Sequence, residues 1–94
     1  MRTIALRTYG RVLSGRSLAR EVIQKEQLRG PLDNEVHFDF QDVDACSMSF
    51  LHEVIKELKA MTPRPSKIIF SGHLNDQVEK TWRELINAYA DETL

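Results

Sequence analysis

Three strand patterns alternate along this chain with three amphipathic helix patterns, and this alternation restricts the fold more than any other feature. The predicted strands are Thr3–Tyr9, Val36–Phe40 and Lys67–Ser71. The predicted helices lie between Ser17 and Gly30, over about Ser47–Ala60, and after Asn75. Because strands separated by helices usually pair in parallel through right-handed crossovers, we predict an α/β fold of order βαβαβα. It would be a two-layer sandwich with a small, mostly parallel sheet and helices packed mainly on one face.

The strand patterns indicate how the sheet is covered. Residues of Val36–Phe40 alternate between apolar and polar, which is typical of a strand with one wet face. The first predicted strand alternates in the same way, so one face of the sheet is predicted to be partly open and available for self-association. The third contains the continuous apolar run Ile68–Phe70, as in a strand inside a sheet or covered on both faces.

The helix patterns predict which faces are buried. Ser14 and Ser17 offer hydroxyl caps for the first helix. The second helix has a predicted inner face of Leu51, Val54, Ile55 and Leu58, and a predicted outer face of His52, Glu53, Lys56 and Glu57. The third helix has a predicted core stripe of Val78, Trp82, Leu85, Ile86 and Tyr89. Its tail, Asp91–Leu94, is predicted to fray.

Composition narrows the class of protein. Ninety-four residues suit one small domain, residues 1–94, and the net charge of −1 argues against a nucleic-acid partner, which would need a basic face. The single cysteine, Cys46, excludes an internal disulfide and suits a reducing cytoplasm. The sequence has neither the apolar core of a signal peptide nor a run of membrane-spanning length. We therefore expect a cytoplasmic protein without a membrane partner.

The segment after the second predicted strand holds the candidate site. Ser47 and Ser49 open the following helix, at the carboxyl edge of the predicted sheet. Free N–H groups and the positive end of the helix dipole suit a phosphoryl group or another anion there. The ordinary alternative is that a serine oxygen caps the first turn of the helix.

Other chemistry-bearing residues near this segment suggest no active site. Asp39, Asp42 and Asp44 form an acidic cluster without a partner set at metal-ligand spacing, and Asp39 is placed to accept hydrogen bonds from backbone N–H groups of the loop. The three histidines also lack a metal-binding spacing, so no metal or other cofactor is expected. Cys46 is expected to pack in the loop, because a catalytic cysteine needs an oriented histidine base.

The same segment resembles the STAS-like domains of bacterial signalling proteins, relatives of the anti-sigma factor antagonists. Asp39-Phe40-x-x-Val43 resembles the family's strand end and loop, and Ser47-x-Ser49-Phe50-Leu51-x-Glu53 resembles the start of the next helix in the STAS-like branch. Leu13-Ser14-Gly15-Arg16 also resembles that branch, and the likeness extends over most of the chain.

In the related family of classical anti-sigma factor antagonists, this loop reads Asp-Ser-Ser/Thr-Gly. Aligned on Asp39 and Val43, Ser49 matches its second hydroxyl, whereas the chain departs from it in having Ser47, Met48 and Phe50 at the aspartate, first hydroxyl and glycine positions. In that family a serine of the loop is phosphorylated by a partner kinase. The resemblance therefore makes Ser49, and after it Ser47, the candidate phosphoacceptors.

The resemblance implies a non-enzymatic signalling module whose partner is a histidine-kinase-like ATPase, acting as an anti-sigma factor or serine kinase. The expected contact surface is the loop after the second predicted strand and the start of the next helix, with partner-binding candidates Asp39, Asp42, Asp44, Met48, Phe50 and Glu53. The alternatives are a phosphorylation-independent scaffold, a small-ligand or nucleotide sensor at the sheet edge, and, ranked last, an enzyme using Asp39 or Cys46.

Overall fold

A computed structural model describes residues 1–93 as an arrangement of five short strands and three α-helices. In chain order the elements are β1 (Arg2–Ala5), a 3₁₀ helix (Leu6–Tyr9), β2 (Val12–Leu13), α1 (Arg16–Leu28), β3 (Glu35–Asp39), β4 (Ala45–Cys46), α2 (Met48–Lys59), β5 (Lys67–Ser71) and α3 (Asp76–Thr93). No helix within this range is both long and apolar enough to cross a bilayer.

The main sheet is parallel, with strand order β1-β3-β5. Ile4 pairs with Phe38, and Phe38 pairs with Phe70. Burial follows the alternation, because Ile4, Val36 and Phe38 are each at most 1% exposed. Helix α1 packs against α2, and α2 packs against α3. The predicted α/β class and parallel pairing are therefore confirmed, and the helices cover the face that the apolar strand residues share.

The opposite face of the sheet is mainly polar, although Ile69 lies on it beside His37. The His37 Nε2 atom lies 2.7 Å from the Ser71 Oγ atom, and its Nδ1 atom lies 3.3 Å from the Thr3 Oγ1 atom. These side chains link all three strands across the open face. Self-association through this face stays a prediction.

The first strand is shorter than predicted. It ends at Ala5, and Leu6–Tyr9 form a 3₁₀ helix, so the predicted strand Thr3–Tyr9 is wrong in its second half. Leu6 is fully buried in the core, and the Tyr9 hydroxyl donates a hydrogen bond to the buried Glu26 carboxylate. Both side chains are turned inward by the 3₁₀ turn. An alternating pattern of this length does not distinguish such a turn from continued strand.

Two helix ends also differ from the predictions. Helix α1 has Gly15 at its N-cap, with φ +87° and without a side-chain cap, so the predicted capping by Ser14 and Ser17 is wrong. Helix α3 continues through the predicted tail as far as Thr93, and fraying of Asp91–Leu94 stays a prediction. Arg64 donates a 2.8 Å hydrogen bond to the Glu92 carbonyl and holds the last turn of the helix. Leu94 lies outside the described residues.

The core is built on the predicted apolar stripes. Leu51, Val54, Ile55 and Leu58 are all buried, as their spacing in α2 predicts. Trp82 of α3 is 2% exposed and makes edge-to-face contacts with three phenylalanine rings, those of Phe38, Phe40 and Phe70. Such contacts stabilise beyond the apolar area that they bury. They fix α3 over the carboxyl half of β3 and β5.

Candidate functional site

The turn after β3 is held by its own polar groups. The Asp39 Oδ1 atom accepts a 2.9 Å hydrogen bond from the Gln41 N–H, which confirms the predicted bond to the loop backbone. The Val43 N–H donates to the Phe40 carbonyl at 3.0 Å and closes the turn. Asp42 has a φ of 66°, a left-handed conformation that aspartate tolerates better than most residues. The acidic residues of this segment therefore shape the turn.

The acidic cluster does not form one site, because its members have separate partners. The Asp39 Oδ2 atom lies 3.8 Å from the Arg7 Nη1 atom. The Asp44 carboxylate accepts hydrogen bonds from Arg11 at 2.9 and 3.3 Å, which raise the pKa of the Arg11 guanidinium. Asp42 and Asp44 are exposed, and Asp39 is half-buried. Their roles in partner binding stay predictions.

Ser47 is the N-cap of α2 and also joins two helix starts. Its Oγ atom accepts hydrogen bonds from the N–H groups of Phe50 and Gly15, each at 3.2 Å. The Ser47 N–H donates to the Leu13 carbonyl at 2.8 Å. Because Gly15 is the N-cap of α1, the first turns of α1 and α2 lie side by side. The capping role suggested for a serine here is confirmed for Ser47.

Ser49 lies in the first turn of α2, beside this cap. Its Oγ atom is 3.2 Å from the Ser47 Oγ atom, and its side chain is half-buried. A phosphate on Ser47 would disturb both hydrogen bonds that its Oγ atom accepts from the N–H groups of Gly15 and Phe50. Ser49 accepts no N–H group of the first turn, so a phosphate there would leave the two hydrogen bonds from Gly15 and Phe50 to Ser47 with their acceptor.

Two predicted contact residues are buried inside the protein. Phe50 and Glu53 are each 1% exposed, so the prediction that Glu53 lies on the outer face of α2 is wrong. The Glu53 Oε1 atom lies 3.2 Å from Arg16 Nη1, and its Oε2 atom lies 3.7 Å from Arg20 Nη1. The arginines of α1 thus cover this carboxylate and make its burial tolerable. Neither Phe50 nor Glu53 is on the surface that a partner would meet.

Glu57 follows Glu53 by one helical turn, and the two carboxyls titrate in opposite directions. Burial, a hydrogen bond with Glu53 and repulsion by its charge raise the pKa of Glu57. Burial also acts to raise the pKa of Glu53, but hydrogen bonds with Glu57 and Arg16 outweigh it, with help from nearby cations, and the pKa is lowered. As pH falls, Glu57 therefore takes up a proton before Glu53 does.

Replacing Glu57 by glutamine is expected to stabilise the protein slightly at neutral pH, by about 0.5 kcal/mol. A carboxyl with a raised folded-state pKa stabilises the fold below its unfolded-state pKa and loses that contribution as pH rises through the folded-state value. Glutamine keeps the hydrogen bond to Glu53 and does not ionise. Urea unfolding across pH measures this. An equal gain at acidic and neutral pH would show that the Glu57 charge is not its cause.

An exposed apolar pair beside the two helix starts was missed by the sequence analysis. Val12 of β2 pairs with Ala45 of β4, and both are exposed, Val12 by 62%. Met48 follows at the start of α2 and is half-buried. We call Val12, Ala45 and Met48 the apolar patch. Strands of two residues carry no periodicity, so no sequence signal could have found this pairing.

A buried thiol and a cluster of metal-ligand residue types lie outside this surface. Burial raises the pKa of the Cys46 thiol to about 12, so the thiol stays protonated at neutral pH. Cys46 is packed as predicted, but it lies in β4 and not in a loop. His73, Asp76 and Glu79 have ligand atoms within 4.8 Å of one another, a convergence that their spacing did not predict. They lie at the start of α3, where the helix dipole disfavours a cation.

Comparison of the chain with protein-family models, with curated proteins and with solved structures gives no match. The likeness to the STAS-like domains therefore stays a prediction that depends on the residues of β3, its turn and α2.

Proposed function

We propose that this chain is a non-enzymatic signalling module, similar to the STAS-like domains, that binds a partner protein through the turn after β3 and the first turn of α2. The main support for the proposal is that the first turns of α1 and α2 are linked, because Ser47 accepts hydrogen bonds from the N–H groups of both Gly15 and Phe50. Beside it lie the apolar patch and the half-buried Ser49 hydroxyl. On this proposal the apolar patch contacts the partner, and the Ser49 hydroxyl is the group through which binding is regulated.

The proposed control is phosphorylation of Ser49. A phosphate adds about −1.5 to −2 charge at neutral pH. The start of α2 tolerates that charge, because the helix dipole and the first-turn N–H groups favour an anion there. A partner packed on the apolar patch would meet a charged group where it had met a hydroxyl, and its binding would weaken. By resemblance, we propose a histidine-kinase-like ATPase as this partner.

A phosphorylation-independent scaffold is the second candidate. The exposed pair of Val12 and Ala45 favours it, because these side chains offer contact area whether or not Ser49 is modified. On this alternative the partner and the surface are the same, and only the effect of Ser49 differs.

Site-specific photo-crosslinking in cells of the natural source tests the contact surface. A photoreactive amino acid at Met48 is expected to capture a histidine-kinase-like ATPase, and the same group at the exposed Gln24 of α1 is expected not to capture it. Identical captures at both positions, or none at Met48, would refute the proposed surface.

Variants of Ser49 separate the switch from the scaffold once that ATPase is purified. Ser49→Asp is expected to weaken binding about tenfold, whereas Ser49→Ala is expected to keep it, as calorimetric titration measures. Gln24→Glu is the matched control, because it adds the same charge on a different helix. Unchanged affinity for Ser49→Asp, with affinity lost for Met48→Glu, would favour the scaffold.

A further inference from the structure

Strand β5 is an edge of the main sheet with unused backbone groups. The strand order leaves one side of β5 without a partner strand in the part of the chain that the structure describes. The Lys67 N–H and the Ser71 carbonyl both bond residues flanking β3, at 3.2 and 2.9 Å. Since alternate residues of a parallel strand bond the same neighbour, Ile68 and Phe70 direct their N–H and carbonyl groups to the free edge.

An apolar groove runs along this free edge. A cavity of about 240 Å³ lies between β5 and α3, lined by Ile68, Ile69, Phe70, Arg83, Ile86 and Asn87. In strand addition, backbone hydrogen bonds supply affinity and side-chain pockets beside the edge supply specificity. Strand β5 therefore has both features that strand addition requires, which are unpaired backbone groups at its edge and an apolar cavity beside them. The edge groups accept only an extended backbone, which indicates the conformation of the occupant.

The charge of the groove indicates what the occupant carries. Arg83 is the charged side chain of the lining, and its guanidinium carbon lies 5.9 Å from the centre of the Phe70 ring. The ring keeps the guanidinium beside the groove, where it can pair with a carboxylate. A second copy of this chain supplies no such group from β5, because Lys67–Ser71 contains no acidic residue.

We propose that β5 and α3 form a binding groove for an extended segment of a partner protein that carries an acidic residue two positions from an apolar one, so that both side chains point to the face that α3 covers. The segment would add a fourth strand to the sheet through the backbone groups of Ile68 and Phe70. One of its apolar side chains would enter the cavity against Ile86, and its carboxylate would meet Arg83. This groove uses none of the residues that form the surface proposed for the ATPase.

A defined peptide tests the groove. The probe is the capped hexapeptide Thr-Val-Thr-Asp-Thr-Val, in which the aspartate and the valines share one face of an extended strand, titrated into ¹⁵N-labelled protein. We expect the amide signals of Ile68 and Phe70 to shift, and affinity to fall about three- to tenfold when lysine replaces the aspartate. Alternate N–H groups of the bound peptide would donate hydrogen bonds to β5. Methylation of these nitrogens is expected to abolish binding, whereas methylation of the other set is expected to have little effect.

Charge reversal at the groove supplies the matched control. Arg83→Glu is expected to reverse the preference between the aspartate and lysine peptides, whereas Lys80→Glu, on an exposed position of the same helix, is expected to leave it unchanged. Dispersed amide spectra of both variants show that they are folded. The proposal is overturned if the Ile68 and Phe70 amides do not respond, if neither methylated register weakens binding, or if the free protein is a dimer paired through β5.

Discussion

Replacing Trp82 by alanine is expected to cost about 3–5 kcal/mol of unfolding free energy, a large share of the stability of a small domain. The ring is 2% exposed and contacts Phe38 at a centroid distance of 5.7 Å, with further edge contacts to Phe40 and Phe70. Alanine leaves a cavity at the point where α3 meets the sheet. The shift of the urea midpoint, at an unchanged denaturant slope, measures the loss.

Phenylalanine at the same position is the informative control. The indole nitrogen of Trp82 is buried and has no hydrogen-bond acceptor among the described residues. Removing a buried, unpaired donor offsets part of the lost packing. The free energy of unfolding of Trp82→Phe is therefore expected to exceed that of Trp82→Ala by at least about 2 kcal/mol. Equal destabilisation by the two variants would show that an aromatic ring at position 82 does not stabilise the fold.

The second large effect is expected at Gly72, which follows β5. Its φ is +94°, and a Cβ atom there would lie 2.9 Å from both the Gln41 nitrogen and the Phe40 carbonyl carbon. Those atoms belong to the backbone of the turn after β3 and have little freedom to move. Gly72→Ala is expected to cost about 2–4 kcal/mol, the sum of left-handed strain and overpacking. It would also displace the turn proposed to contact the partner.

Gly15→Ala is the matched control for this effect. Gly15 has a similar φ of +87°, but its added Cβ would meet no atom within 4 Å. Its expected cost is about 1–2 kcal/mol, from the backbone conformation alone. Thermal or urea unfolding of the two variants compares them directly. If Gly15→Ala is as destabilising as Gly72→Ala, the close approach of Gly72 to the turn is not the cause.

The regular elements were predictable where the pattern was long or clearly bounded. Strand β5 has its predicted limits, Lys67–Ser71, because an apolar run there lies between Pro65 and Gly72. Helix α2 begins after its predicted serine and buries its predicted stripe. The pairing of β2 with β4 was not predictable, because it joins two-residue segments by backbone bonds that leave no pattern in the side chains.

The location of the candidate site was predictable from the sequence, but which of its side chains are exposed was not. The positions of Ser47 and Asp39 follow from local capping and turn chemistry, which nearby residues determine. The burial of Glu53 does not, because it depends on Arg16 and Arg20 of a different helix. A helical pattern alone assigns a glutamate to solvent, and only tertiary contacts reverse that assignment.

The mass of the protein isolated from its natural source tests the proposed phosphorylation of Ser49. We expect a fraction of molecules heavier by about 80 Da, with fragment spectra that assign the phosphate to Ser49. Ser49→Ala expressed in the same cells is expected to lack this fraction and to remain folded. Protein found only at its unmodified mass, under conditions where the partner ATPase is active, would contradict the phosphorylation switch. A phosphate on another residue, with Ser49 unmodified, would contradict it equally.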